Sequence, residues 1–449
     1  MNTVQEQNSP SQARVKKRYV IMLMALVLVC VAGLFFPESP TLFQDGDQAM
    51  DKADTAWMMT ASILVLLMTP GVAFFYAGMV RAKNVISTMV FSIVAMGAMS
   101  VLWVVLGFSL VFGNDMGGFV GNPLTYFMLQ GVGSHTQSEL APTIPFMLFV
   151  LFQMKFAILA PSLISGGFAE RIRFSVFLIF MVLFGVLVYA PIAHWIWHPQ
   201  GIFNRLGVID FAGGLVVHAS SGIAALVGAK YLGSRHMPSD YKPANIPFVI
   251  LGVALLWVGW FGFNAGSALG VNAAAIKAFI NTNTASAVGM LSWVLFDTIK
   301  GKKPSALGLG IGAIVGMVGI TPCAGMTTVG ESMFIGFATA LICNYLVSKK
   351  NVIQADDALD VFYTHGVGGI IGSVFTGIFV HGLLDGHYAV FFYHLLAVLV
   401  VIVYTFVLSY GIFWLISKFI PPRVSPEKEK IGLDLNQHGE VYGLHALQE

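Results

Sequence analysis

Residues 174–195 read FSVFLIFMVLFGVLVYAPIAHW, twenty-two positions without one Asp, Glu, Lys or Arg. A helix needs about 20 apolar residues to cross the hydrocarbon core of a bilayer. Similar runs recur on both sides of this one. Eleven spans are read in all, with approximate cores at 55–78, 86–112, 144–168, 174–195, 211–232, 247–268, 283–299, 305–321, 328–348, 361–380 and 389–418. Composition agrees with that reading. The 449-residue chain is 57% hydrophobic and only 10% charged, whereas a soluble globular chain carries roughly 25% charged residues. So few charges cannot coat a soluble protein of this size, and much of the surface must face lipid. The expected fold class is an all-α polytopic membrane protein.

The ends are polar. A basic start (Lys16, Lys17, Arg18) precedes an apolar run from Tyr19 to Phe36, with Val31-Ala32-Gly33 as a weak cleavage site. This pattern reads as a signal peptide, with a retained anchor helix as the rival reading. Lys and Arg collect in the loops after odd-numbered spans: Arg81 and Lys83, Arg171 and Arg173, Lys230, Arg235 and Lys242, Lys300, Lys302 and Lys303, Lys349 and Lys350, then Arg423, Lys428 and Lys430. Loops after even spans hold few. Positive charge marks the cytoplasmic side, so the segment before the first span lies outside and the C-terminus inside. The net charge of +2 comes without a long basic run, which argues against nucleic acid. Cys30, Cys323 and Cys343 form no CxxC pair or disulfide framework. No HExxH, nucleophile elbow or Walker motif occurs, so neither an enzyme nor a cofactor is expected.

An internal repeat is hinted at. His218 and His365 each have Gly four residues on and Ile five on (Gly222-Ile223 and Gly369-Ile370), and each follows an Asp, Asp210 and Asp360. They fall in the fifth and tenth spans. A repeat of five spans is odd-numbered, so two copies insert with opposite topology and place a site at their interface near the midplane. A polar group inside a span is costly without a partner. One lone His is best read as bonding a neighbouring carbonyl. Two at equivalent points of a repeat suggest a shared hydrogen bond and one path. No further His, Cys or carboxylate joins them at ligand spacing, so no metal site is expected there. Gly308, Gly312 and Gly316, like Gly262 and Gly266, recur at the spacing that lets helix backbones approach in lipid. Trp195 and Trp197 end the fourth span. Interfacial anchoring is the plain reading for Trp195, while the Trp197 indole could also attract a small cation. Asp210 is placed to cap a helix N-terminus.

These residues also carry a resemblance. Gly259-Trp260-Phe261-Gly262-Phe263-Asn264-Ala265-Gly266-Ser267 resembles the signature of the Amt branch of the ammonium transporter (Amt/Mep/Rh) family. So do Asp210-Phe211-Ala212-Gly213-Gly214 leading to Val217-His218, and Ala169-Glu170-Arg171-Ile172-Arg173-Phe174. Asp360-Val361-Phe362 leading to His365-Gly366-Val367 is similar to the family's tenth-helix motif. Gly432-Leu433-Asp434-Leu435-Asn436-Gln437-His438-Gly439-Glu440 resembles its cytoplasmic tail. The resemblance runs from about residue 51 to 443.

It implies eleven transmembrane helices in two inverted five-helix repeats plus a final long helix, and a homotrimer with one pore per subunit. Residues 1–36 would be the signal peptide or N-terminal anchor, 37–53 a polar extracytoplasmic linker, 54–420 the transmembrane transport domain and 421–449 the cytoplasmic tail. Carried over motif by motif, Phe156 and Phe263 would be the gate phenylalanines. Trp197, Phe156 and Ser267 would form the external ammonium site, His218 and His365 the paired pore histidines, and Asp210 a support behind the vestibule. The loop from Trp197 to Asp210 is one residue longer than the family pattern. Ammonium and methylammonium would be substrates. A PII-type signal protein at the cytoplasmic face of the plasma membrane, the inner membrane of a two-membrane cell, would be a partner. The alternative is an ammonium sensor with little net transport. Sensor relatives carry an appended output domain, while about thirty residues follow the last span here, and the intact histidine pair favours transport. Lys155, directly before Phe156, departs from the family's small or apolar residue. A buried lysine is a functional-site hypothesis by default, but a pairing or interface role away from the pore is preferred, since one residue of helix turns about 100°.

Overall fold

A computed structural model describes residues 17–36, 39–43, 47–236, 241–349 and 353–443. The basic start before Lys17, Lys350 and the end of the tail beyond Gly443 lie outside the described residues. Contacts divide the chain into Met1–Glu38 and Ser39–Glu449. In the first unit, Lys17–Gly33 is a single helix with no buried residue.

The second unit is helical, and its described residues contain no strand beyond isolated bridges. Ten helices are long and apolar enough to cross a membrane: Lys52–Met79, Ala82–Phe112, Phe146–Phe168, Phe174–Trp197, Gly214–Leu232, Ile246–Gly266, Ala306–Cys323, Val329–Ser348, Phe362–Phe379 and Tyr388–Ser417. The helix Ala273–Ile299 lies seventh in order among them, where an eleventh span is expected. It starts ten residues before the expected core at 283. Lys277, Asn281, Thr282 and Asn283 interrupt the apolar pattern there, yet the bundle gives the buried ones partners. Asn281 Nδ2 donates to Ala324 O at 2.9 Å and Thr327 O at 2.8 Å, and Asn264 Nδ2 donates to Thr282 Oγ1 at 2.8 Å. Asn272 caps the helix start by accepting Ala275 N–H at 3.0 Å.

Glycines set the tightest crossings. The first and sixth spans pack along their lengths, and a Cβ on Gly262 would meet Ala61 O at 2.8 Å. On the eighth span, a Cβ on Gly312 would meet Gly289 O at 2.7 Å. The fifth and tenth spans meet backbone to backbone, where a Cβ on Gly222 would collide with the backbone of Gly366.

The two histidine spans share further features. Each opens on a π-helical turn, Gly214–Ala219 and Phe362–Val367, a form common at functional sites. Each is capped by a carboxylate. In the second copy the side chain that caps is Asp357, which accepts Phe362 N–H at 2.7 Å. Asp360 instead supplies a carbonyl to Thr364, from a backbone at φ 56°. Trp195 is buried against Phe119, Phe203 and Tyr404, so it packs the interior and is not an interfacial anchor.

The end of the bundle nearest the C-terminal tail is built on charge. Glu170, completely buried at φ 70°, accepts Arg81 N–H at 2.8 Å, Arg81 Nε at 3.1 Å, Asn84 Nδ2 at 3.0 Å and Arg235 Nη1 at 2.9 Å. Burial alone would raise its carboxyl, but Arg235 and Arg81 outweigh that and hold it below the usual range. Arg235 also grips Asp356 through two bonds of 2.8 Å. Despite partial burial, that pairing holds Asp356 down to about 2. The tail joins this network. Asn84 Oδ1 accepts Leu433 N–H at 2.8 Å, and the Asp434 carboxylate caps the second span through Ser87 N–H at 2.7 Å and Ile86 N–H at 3.0 Å.

Candidate functional site

At the opposite end, a cavity of about 180 Å³ opens between spans. Phe156, Trp197 and Ser267 line it together with Phe112, Phe149 and Gln153. Trp197 stands edge-on to Phe156, with ring centroids 5.8 Å apart. Its Nε1 donates to Asp210 O at 2.8 Å, so the longer loop still closes. The Asp210 side chain turns the other way. It accepts N–H groups from Gly213 (3.2 Å), Gly214 (2.5 Å), Leu215 (2.8 Å) and Val216 (3.1 Å), fixing the start of the fifth span. One residue thus positions both the indole and the histidine helix. A larger apolar groove of about 520 Å³, at Trp57, Phe261 and Phe279, lies elsewhere and carries no charged lining.

Beneath the cavity the path is closed by rings. Phe156 stacks on Phe263 with centroids 4.3 Å apart at 26°. Phe263 lies 5.7 Å from the ring of His218, which also stacks on Trp260 at 5.2 Å. His218 then meets His365, Nδ1 to Nδ1 at 3.3 Å. Such a contact needs one N–H and one lone pair, so the pair shares a single hydrogen. All five residues are buried. The side chains named from sequence therefore form one unbroken series: Trp197, Phe156, Phe263, His218, His365. Ser267 sits beside the cavity with its hydroxyl on Phe263 O at 2.9 Å.

The Gly222–Gly366 crossing explains the short Nδ1 distance, because no side chain separates the two helices. His218 Nε2 is buried and has no protein partner. Trp260, stacked on the His218 ring, has its own Nε1 satisfied by Thr321 Oγ1 at 2.9 Å. No carboxylate, thiol or third imidazole approaches the pair closely enough to complete a metal centre among the described residues.

Glu139 was not singled out from sequence. It is exposed, is the one carboxylate lining the cavity among the described residues, and rides on a turn pinned by Gln137. Gln137 Oε1 accepts the N–H groups of Glu139 at 2.8 Å and Leu140 at 2.5 Å. The segment lacks periodicity, and a lone acid in a charge-poor loop was its only signal. Lys155 does not line the cavity. It is 9% exposed, and no hydrogen bond or ion pair reaches its amine among the described residues.

The chain is similar to known proteins over most of its length. Residues 56–442 match the family model described as Ammonium Transporter Family. The chain is 44% identical over 403 residues to the ammonium transporter of Bacillus subtilis, covering 87% of this chain and 98% of that protein. It is 39% identical to ammonium transporter Amt1 of Archaeoglobus fulgidus, covering 87% and 99%. Among solved structures it resembles Saccharomyces cerevisiae Mep2 (TM-score 0.83, 34% identity, 90% and 95% covered). It also resembles a sensor Amt protein (TM-score 0.78, 29% identity, 86% and 98% covered). The helical bundle, the signature run around Phe263 and these likenesses over most of the chain agree: it is a multi-pass membrane protein, not an enzyme, and it belongs to the ammonium transporter family.

Proposed function

We propose that the chain recruits NH4+ at the Trp197–Phe156–Ser267 vestibule, that the cation gives up one proton to vestibule water or to the imidazole pair before the apolar stretch, and that ammonia is conducted past Phe263 along His218 and His365. The carrying observation is the continuous contact series from indole to second imidazole. Ammonium resembles potassium in charge and size but has protons to donate and to lose. An aromatic wall with a hydroxyl favours a cation that can hydrogen-bond. The closed, apolar stretch beneath it penalises any ion stripped of water. Ammonia crosses that stretch as a neutral molecule, and potassium has no neutral form. The histidine pair offers hydrogen-bonding nitrogens on the way, and imidazole nitrogens can relay a proton.

In this reading the vestibule faces outward and the tail lies in the cytoplasm, following the Lys and Arg distribution. Residues 1–36 act as a cleaved leader or an anchor, and 37–53 as an extracytoplasmic linker. The chain works as a homotrimer in the inner (plasma) membrane, and a PII-type protein engages the tail end. The second reading, a sensor with little flux, draws on the 29% identity to a sensor Amt structure.

Solid-supported membrane electrophysiology on proteoliposomes separates the two. Transport predicts an ammonium-evoked current in the native protein, absent from His218→Ala and His365→Ala at equal protein density. An equal current in both variants would sink the histidine path. Binding with neither current nor methylammonium uptake into the proteoliposomes of the native protein would favour the sensor.

A further inference from the structure

Outside this path, Asp115, His194 and His198 each bring one ligand atom within 4.8 Å of the others. The two histidines are four residues apart where the fourth span ends, and their rings lie 4.3 Å apart at 18°. Asp115 arrives from the turn after the second span, with its Oδ1 fixed by Gly118 N–H at 2.6 Å. His194 is completely buried. Its Nδ1 lies 2.7 Å from Val111 O, and its Nε2 lies 3.0 Å from Asp115 Oδ1.

Both of those partners are acceptors, and a neutral imidazole has one N–H to give. With the hydrogen on Nδ1, the Nε2 lone pair points at a carboxylate oxygen. Something positive must lie between them, either a second proton or a metal ion. An Nδ1–H bonded to a backbone carbonyl is the outer-shell contact that orients a metal-binding histidine. The geometry is close to what zinc needs. Two ligands at about 2.05 Å with a tetrahedral angle sit roughly 3.4 Å apart, so Nε2 and Oδ1 need open only by a few tenths of an ångström. His198 completes a two-imidazole, one-carboxylate set, the donor chemistry that suits zinc and its neighbours. On binding, its ring gives up the Gln200 N–H now held by Nδ1 at 3.1 Å.

We propose that Asp115, His194 and His198 form a binding site for a divalent transition ion of the zinc class, with water in the fourth position. His198 follows Trp197 directly, and Pro199 lines the vestibule. A bound ion would therefore tie the vestibule wall to the loop after the second span. The site does not depend on how ammonium crosses.

The test uses the full chain, purified, freed of any affinity tag, stripped with chelator and dialysed against excess Zn2+. Metal analysis is expected to find one zinc per protomer. Co2+ in its place is expected to give the visible bands of a tetrahedral site. Asp115→Asn and His198→Gln should each weaken zinc binding by at least about tenfold and abolish those bands, while eluting as the native oligomer does. His194 is left intact because its substitution strands Val111 O and Asp115. Substoichiometric zinc in the native protein, or equal zinc in native and variant proteins, overturns the site and leaves a protonated His194 paired with Asp115.

Discussion

The two ends of this bundle bury polar groups in opposite ways. At the tail end, Glu170 is surrounded by Arg81, Asn84 and Arg235, with both carboxyl oxygens bonded. Along the pathway at the other end, aromatic rings dominate and His218 Nε2 is left without a partner. A charge in a low-dielectric interior is tolerable only when paired and fully bonded. A neutral imidazole tolerates one open position at much smaller cost. Glu170 is therefore held fixed, whereas the proposed pathway keeps an open bonding position at His218.

The sharpest way to break this contrast is Glu170→Ala. Removing the carboxylate leaves the buried Arg81 guanidinium without its ion pair, while Arg235 keeps Asp356, a loss of about 3–5 kcal/mol. Thermal unfolding in detergent should show a collapse in folded yield, and native-like melting would refute the fixed-end reading. The same group sets a pH dependence. Its folded pKa lies below the unfolded value, so its contribution is present above the usual Glu range and fades as pH falls through the depressed one. Next comes Asp210→Ala, which strands four N–H groups at the start of the fifth span. A loss of about 1–3 kcal/mol is expected, together with reduced methylammonium uptake because the turn that presents the Asp210 carbonyl to Trp197 loses its side-chain anchor. Stability lost with uptake intact would separate the two roles given to Asp210.

Glu139→Gln should act on recruitment alone. The expected result is a severalfold weaker apparent affinity for ammonium at low ionic strength, shrinking in high salt as screening sets in. A salt-independent effect, or none, would remove the rim carboxylate from the entry step. The smallest effect is expected from Lys155→Met, which should retain measurable methylammonium uptake. Complete loss of uptake at normal expression would place Lys155 on the pathway.

Much of this was legible in the chain, because lipid enforces length and apolarity on every span. Ten cores matched to within a few residues, and His218, His365, Phe156, Phe263, Trp197 and Ser267 lie close together. The misses have a common cause. Residues 273–282 look like a loop because Asn281 and Thr282 are polar, and only neighbouring helices reveal their partners. Asp357 was passed over for Asp360 because both precede the tenth span, and backbone direction decides between them. Asp115 lies 79 residues before His194, a separation no local pattern can bridge. Glu139 sits where periodicity gives no guidance.

The contact between Gly222 and Gly366 has one more consequence. Where two helices touch through main chain alone, the imidazole spacing is set by covalent geometry, not by how well neighbouring residues happen to fit. Tilting one helix about that pivot carries its ring along with little change in reach. A single added methyl at Gly222 would act as a wedge, prising the two helices apart and stretching the 3.3 Å link with no change to either ring.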